Sequence, residues 1–283
     1  MSEKILDGKK VANLIEKQVK DEVDSLIQET SVTPGLSTIL VGENPGSKIY
    51  VNIKKKACNR VGINSELINL SDNLKEQELL AKIEELNDNP AIHGILVQLP
   101  LPPHIQLLNV FSAINPKKDV DCLHPINFGK LVIGKEDLVP CTPKGIVHLL
   151  EHYEIPITEQ DTVIVNHSTI LGKPLALMFL NRDATVSVAH IKTKNLKMVT
   201  KTADILIVGA GSPNLIKNDM IKENCVIVDA GISRIEGKIV GDVDFEGVLD
   251  KVRAITPVPG GVGPMTVACL LQNTIICYKN LSS

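Results

Sequence analysis

The chain has 283 residues, 43% of them apolar and 22% charged. That is enough length and apolar surface for one large or two ordinary globular domains, which excludes disorder as the default reading. Thirty basic against 33 acidic side chains leave a net charge of -3, with no basic footprint for nucleic acid or an anionic membrane, so small-molecule chemistry is the class that remains.

In chain order, Val11, Leu14, Ile15, Val19, Val23, Leu26 and Ile27 recur at helical spacing and predict one long amphipathic helix before the Thr33-Pro34-Gly35 break. Apolar runs at 36–41, 63–70 and 94–99 then alternate with helical patterns at 47–61, 74–86 and 104–114. This alternation predicts β-α-β units and a parallel sheet. A turn at 140–143 and a helical stretch at 144–153 mark the joint to a second series of short β-branched runs, at 162–165, 184–188, 205–208 and 225–228. Being mostly continuous, they read as strands covered on both faces. A Pro/Gly loop precedes a last apolar helix at 265–278, which could fold back onto the first domain.

Polar residues that break these patterns are the candidates for chemistry. Tyr50 and Lys54, four apart on one helix, share a face with Ser47 a turn earlier. The plainer alternative is a surface lysine beside Lys55 and Lys56. With no Trp, four Phe and three Tyr in the chain, an aromatic in such company is scarce. Gln98 is the single amide at the carboxyl end of an apolar strand, where open α/β sheets bind ligands, although a neighbouring backbone group could also satisfy it. In Asp119-Val120-Asp121 the alternation sets two carboxylates on opposite sides of an extended segment, so one can face a cleft or cap a turn.

In the second half, Asn166-His167-Ser168 and Gly172-Lys173-Pro174 connect a strand to a helix whose first position suits Pro174, an arrangement able to hold phosphate. The G-x-G-x-x-G fingerprint is absent. Gly209-Ala210-Gly211 and Asp229 to Ser233, which includes Ile232, add strand-end loops open to close backbone approach. The segment Thr256 to Thr266, with Pro259, Gly260 and Gly263, reads as a contact loop or an interdomain hinge. The six cysteines show no C-x-x-C pair, which predicts buried free thiols and no metal site. The polar opening MSEKILDGKK and the absence of a long apolar run predict a cytoplasmic protein.

Taken together, YVNIKKKACNRVGI, HGILVQLPLP, KDVDCLHPINFGKL, VPCTPKGIVHLL, TILGKPLALMFL and TPVPGGVGPMTVACLLQNT resemble, in order and over nearly the whole chain, the bifunctional methylenetetrahydrofolate dehydrogenase/methenyltetrahydrofolate cyclohydrolase family. The resemblance implies two α/β domains. One is a folate and catalytic domain over 1–140, joined by the helix at 264–283, and the other a Rossmann-like NAD(P)-binding domain over 141–263 with a parallel sheet. It further implies a homodimer in the one-carbon metabolism that serves purine biosynthesis, with Lys54 as catalytic lysine and Gln98 assisting it. Tyr50 would line the pterin, Asp121 recognise it, and Ser47, Pro259 and Gly260 complete the folate site. Asn166, His167, Ser168, Gly172, Ile191, Gly209, Ala210, Ile232, Gly263 and Thr266 would meet the dinucleotide. Lys54 can shuttle protons provided that burial lowers its pKa.

The chain departs from the pattern at Asn166-His167-Ser168, where relatives commonly have Gly, then a basic or small residue, then Ser. Ile191 likewise stands where NADP users often carry a polar or basic side chain. His167, Lys192 and Lys194 favour a phosphate, and no acidic residue follows the second strand to hold a free ribose hydroxyl, so NADP is the expected cofactor and NAD the alternative.

Overall fold

The N-terminal apolar stripe forms helix α1 (Gly8–Thr30) in a computed structural model that describes residues 4–282. Val11, Ile15, Val19 and Val23 are buried, whereas Leu14 falls outside the stripe and is 47% exposed. The chain divides into two compact units. The first comprises the described residues up to Ala12 with Thr142–Thr266, and the second comprises Asn13–Cys141 with the chain from Val267 onward.

The second unit is built on a three-stranded parallel sheet of β1 (Gly35–Val41), β2 (Asn64–Leu70) and β3 (Gly94–Gln98), in the order β2-β1-β3. Between them run α2 (Pro45–Val61) and α3 (Glu76–Asp88). After β3 come α4 (Leu107–Ala113) and α5 (Pro125–Val132), the latter without a helical pattern in the sequence strong enough to predict it. The central β1 is buried at every position while the edge strand β2 alternates, as strand position dictates. Ile39, Val41, Leu79, Ile83, Leu86, Ile95 and Val97 lie in one apolar cluster that holds the sheet to α3.

The first unit carries α6 (Cys141–His152), β4 (Asp161–Val165), α7 (Gly172–Leu180), β5 (Thr185–Ala189), α8 (Leu196–Thr200), β6 (Ile205–Val208) and β7 (Val226–Asp229). A hairpin of β8 (Ser233–Ile235) and β9 (Lys238–Val240) follows, then α9 (Phe245–Val248), β10 (Ala254–Ile255) and α10 (Val262–Ser282), which continues into the second unit. The parallel sheet has the order β10-β7-β6-β4-β5. Because β4 is followed by β5 on one side while β6 lies on its other side, the direction of winding reverses at β4 and β6, where open α/β sheets bind ligands.

Two expectations need correction. The strand at β5 is not covered on both faces: it is the sheet edge, and Val188 is 43% exposed. Pro174 is not the first residue of its helix, since α7 starts at Gly172. Proline is still accommodated there, because amides in the first turn have no intrahelical acceptor. All six cysteines are free and buried, as their spacing predicted. Among the described residues, no helix is long and apolar enough to cross a membrane.

Candidate active site and dinucleotide loops

Helix α2 is set by its N-cap. Asn44 Oδ1 accepts the Ser47 amide at 3.0 Å and Pro45 occupies the first turn, so the helix phase is fixed from its first residues. That phase buries Ser47 and Val51, leaves Tyr50 and Lys54 half-buried, and exposes Lys55 and Lys56. Lys54 is therefore not one of a row of surface lysines. Its Nζ donates to Gln98 Oε1 at 3.0 Å, and among the described residues it has no carboxylate partner. Gln98 Nε2 donates to the Leu99 carbonyl at 2.8 Å, and Ser47 Oγ reaches the same carbonyl at 3.4 Å. The neighbouring backbone satisfies one end of the Gln98 amide, as anticipated, and the other end meets the lysine.

The two acids separate by role. A parallel bridge between Ile95 and Asp119, with the Ile95 amide donating to the Lys118 carbonyl at 2.7 Å, sets this segment alongside β3. Asp119 is 1% exposed and accepts the His124 amide at 2.8 Å and Asn127 Nδ2 at 3.0 Å, so it anchors the turn. Burial pushes the Asp119 carboxyl above the usual carboxylate range, against the hydrogen bonds that oppose the shift. Asp121 lies two residues on, in the direction in which β3 runs to Gln98. It is half-buried and makes no hydrogen bond or ion pair among the described residues. A half-buried carboxylate without a protein partner is a group available to a ligand. The strict extended alternation expected here gives way to a turn after Asp119, with Cys122 at φ 57°.

Lys118, unnoticed in the sequence, is 4% exposed and donates to the carbonyls of Leu86, Asn87 and Asn89 at 3.1, 2.6 and 2.8 Å. It closes the C-terminus of α3 and takes a structural place. Burial lowers its pKa below the ordinary lysine value.

In the other unit, Asn166, His167 and Ser168 follow β4, Ile191 follows β5, Gly209 and Ala210 follow β6 and Ile232 follows β7, each just past the carboxyl end of a parallel strand, whereas Gly172 begins α7 and Gly263 and Thr266 lie on α10. Asn166 ties the reversal point together: its Nδ2 donates to the Gly209 carbonyl at 2.5 Å, joining the ends of β4 and β6. Its Oδ1 accepts the Ser168 amide at 2.8 Å, Ser168 Oγ at 2.7 Å and the Gly172 amide at 3.0 Å. A β-carbon at Gly172 would sit 2.0 Å from the Asn166 carbonyl oxygen, so only glycine permits this closure. Asn166 and Ser168 thus shape the loop, and His167 is the exposed side chain it presents. The His167 ring lies 4.7 Å from that of His190, at the end of β5, with a 38° tilt between the planes. His190 Nδ1 accepts the Lys192 amide at 3.2 Å. Ile191 is 93% exposed and Ile232 46% exposed.

A pair of buried acids lies behind the loops after β6 and β7. Asp229 accepts the amides of Gly231 (2.9 Å), Asp242 (3.1 Å) and Val243 (2.9 Å). Asp242 Oδ2 accepts the Gly211 amide at 2.8 Å, while its Oδ1 is buried without a partner among the described residues. The two interlock: a β-carbon at Gly231 would stand 2.2 Å from Asp242 Cγ, and one at Gly241 would stand 2.0 Å from Asp229 Oδ2. Burial first, and the neighbouring Asp242 charge last, push the Asp229 carboxyl up to about 6. The sequence signal was present, since Asp229 ends an apolar strand just as Gln98 does.

Pro259, Gly260, Gly263 and Thr266 fall in this same unit, whereas Ser47, Tyr50, Lys54, Gln98 and Asp121 belong to the other. The Gly260 carbonyl accepts the Lys9 amide at 2.9 Å, and Thr266 Oγ1 meets Thr142 Oγ1 at 3.0 Å. A β-carbon built on Gly263 meets nothing within 4 Å.

Comparison with known proteins gives two family matches. Residues 6–121 match the tetrahydrofolate dehydrogenase/cyclohydrolase catalytic domain, and residues 140–282 match the NAD(P)-binding domain of the same name. The chain is 55% identical over 276 residues to the bifunctional protein FolD of Aquifex aeolicus, covering 97% of this chain and 95% of that one. The bifunctional FolD methylenetetrahydrofolate dehydrogenase/cyclohydrolase structure from Campylobacter jejuni is 50% identical, covers 98% of this chain and 99% of its own, and superposes with a TM-score of 0.95. The Trypanosoma brucei methylenetetrahydrofolate dehydrogenase-cyclohydrolase, solved with NADP and an inhibitor, is 37% identical with a TM-score of 0.94 over 98% of each chain.

Proposed function

Because the chain belongs to the tetrahydrofolate dehydrogenase/cyclohydrolase family, we infer a bifunctional enzyme of one-carbon metabolism and assign its reacting groups to the half-buried set on α2, β3 and the Asp119 turn. The enzyme oxidises methylenetetrahydrofolate to methenyltetrahydrofolate with a nicotinamide dinucleotide, and hydrolyses the methenyl form to formyltetrahydrofolate. The observation that carries the site assignment is the 3.0 Å bond between Lys54 Nζ and Gln98 Oε1, which holds an amine with no carboxylate partner among the described residues at the carboxyl end of a parallel sheet.

Bound NADP supplies the hydride acceptor for the first reaction. Our assignment gives Tyr50 the pterin face and Asp121 the adjacent N–H donors of its edge, an acceptor whose charge strengthens the bond. In the dehydrogenase step these residues align two bound partners, and positioning alone lowers such barriers by several orders of magnitude. In the cyclohydrolase step the neutral form of Lys54 takes a proton from the water whose oxygen bonds to the methenyl carbon and returns it to the ring nitrogen that leaves as its bond to that carbon breaks, the second water proton going to solvent, with Gln98 fixing the amine without adding charge.

We assign 1–140 with 264–283 as the folate domain and 141–263 as the dinucleotide domain, with the described residues up to Ala12 and those at 264–266 packing in the compact unit of the latter. Ser47, Pro259 and Gly260 are given to the folate, and Asn166, His167, Ser168, Gly172, Ile191, Gly209, Ala210, Ile232, Gly263 and Thr266 to the dinucleotide. The loops fit such a group: backbone closes tightly at Gly172, and the exposed His167 and His190 stand on adjacent strand ends near Lys192 and Lys194. Lys192 and Lys194, with the two imidazoles beside them, suit a 2'-phosphate, which supports NADP over NAD.

A homodimer is supported by the exposed edge strand β5 with Val188, flanked by Leu180 at 53% and Met198 at 68% exposure on the helices beside it. Six reduced thiols suit the cytoplasm, and a net charge of -3 supports no nucleic-acid partner.

The test is purified protein with methylenetetrahydrofolate and either NADP or NAD, followed by absorbance for methenyl formation and decay. Faster formation with NADP, followed by decay beyond the spontaneous rate, is the expected result. Formation without catalysed decay would remove the second activity.

A further inference from the structure

The Asp121 carboxylate can meet a pterin edge only if its turn is held still, yet it makes no bond of its own among the described residues. Two features immediately beside it do the holding. Asp119 anchors the N-terminal side through His124 and Asn127. On the other side stands Asn273, which comes from α10, more than 150 residues away along the chain, and is 0% exposed. Asn273 Nδ2 donates to the Val120 carbonyl at 2.8 Å and to the Val139 carbonyl at 2.9 Å, so both of its amide protons are spent on backbone oxygens. Cys141 Sγ donates to the same Val120 carbonyl at 3.3 Å and lies 3.5 Å from Asn273 Nδ2.

Val120 is the residue directly before Asp121. A bond to its carbonyl fixes the peptide plane through which the Asp121 backbone is attached, and so the direction in which that side chain leaves the chain. Around it, Met265, Ala268, Leu270, Leu271 and Ile275 are buried apolar residues of α10. An apolar residue there would take this donor from the Val139 carbonyl and leave the Val120 carbonyl only the weaker Cys141 thiol.

We propose that Asn273 is a positioning residue for the folate reaction, acting through Asp121 by clamping the Val120 peptide to Val139. The inference rests on the reading of Asp121 as the pterin-recognising group. Its signature is specific: loss of the clamp lets the Asp121 turn move, which weakens folate binding and leaves the dinucleotide loops of the other unit untouched.

The experiment is a double-mutant cycle on the full-length protein, using Asp121→Asn, Asn273→Ser and the pair, with methylenetetrahydrofolate KM, kcat and NADP affinity measured for each. Asn273→Ser is expected to raise the folate KM on the order of tenfold, within what a displacement of about an ångström produces. NADP affinity should stay unchanged and thereby report an intact fold. In the Asp121→Asn background the same substitution should add little, since groups that act through one another are not additive. Asn273→Gln, which keeps the donors on a stem one methylene longer, is the milder second variant should Asn273→Ser fail to fold, and it carries the same expectation at smaller size. Full additivity, or equal loss of folate and NADP affinity, overturns the inference while Asp121 keeps its role. If Asp121→Asn alone leaves the folate KM unchanged, the reading of Asp121 falls and the inference falls with it.

Discussion

Gln98 divides its side-chain amide between two partners, accepting from Lys54 Nζ at 3.0 Å and donating to the Leu99 carbonyl at 2.8 Å. The second bond settles which end of the amide faces the lysine, because only the NH2 group can donate to a carbonyl. The oxygen is therefore presented to the ammonium by the local backbone.

It follows that Gln98→Leu should impair the lysine without unfolding the strand. A hydrogen bond to a charged group is worth about 1.5–3 kcal/mol, so cyclohydrolase turnover should fall by roughly ten- to a hundredfold. Stopped-flow measurement of methenyl decay checks this, and a wild-type rate in Gln98→Leu would show that the contact does not serve the chemistry.

For Asp121→Ala, loss of a charge-assisted hydrogen bond to the pterin should weaken folate binding by about 1.5–3 kcal/mol while dinucleotide binding holds. Separate titrations of the two ligands decide the matter. An equal loss for both would make Asp121 a structural residue like its neighbour Asp119.

The ring pair of His167 and His190 bears on cofactor choice. If these side chains meet a 2'-phosphate, His167→Ala should lower NADP affinity by about tenfold and leave NAD affinity nearly unchanged, and added salt should narrow the gap between the cofactors by screening. Equal effects on NADP and NAD, at low and high salt alike, would leave His167 as a loop residue only.

Asp229 predicts a pH effect on stability. Its folded carboxyl is raised to about 6, above the usual carboxylate range, so the protonated form favours the folded protein. That contribution is fully present below the unfolded carboxylate range and is lost as pH rises through about 6, with a ceiling of roughly 3 kcal/mol. His148 works in the opposite sense: burial depresses it to about 4, and its contribution is lost as pH falls through that value. The comparison to make is therefore melting temperature against pH, from 7.5 to 5, for wild type and Asp229→Asn. Wild type should gain on the variant as the solution is acidified, and parallel curves would show that Asp229 does not titrate in this window.

Much of this organisation was legible in the sequence. Strands such as Thr162–Val165 and Ile205–Val208 announce themselves as apolar runs because both of their faces are covered, and Gln98 stands out because an amide at the end of such a run needs a partner. β5 was misjudged for the converse reason: its β-branched residues read as buried, but sheet order, which no local pattern encodes, puts it at the edge. Lys118, Asn273 and Asp242 were passed over because their partners are backbone groups far along the chain. Asp229, named only as the start of a strand-end loop, stands at the end of an apolar strand as Gln98 does, and its partners are the amides of Gly231, Asp242 and Val243.

The most direct test of the account is Lys54→Met, which retains a comparable stem and removes the amine. The protein should fold and bind NADP as before, while the catalysed decay of methenyltetrahydrofolate falls by about a hundredfold or more, the range that general acid-base groups supply. A cyclohydrolase rate close to wild type in that variant would contradict the assignment of Lys54 as the proton-carrying group.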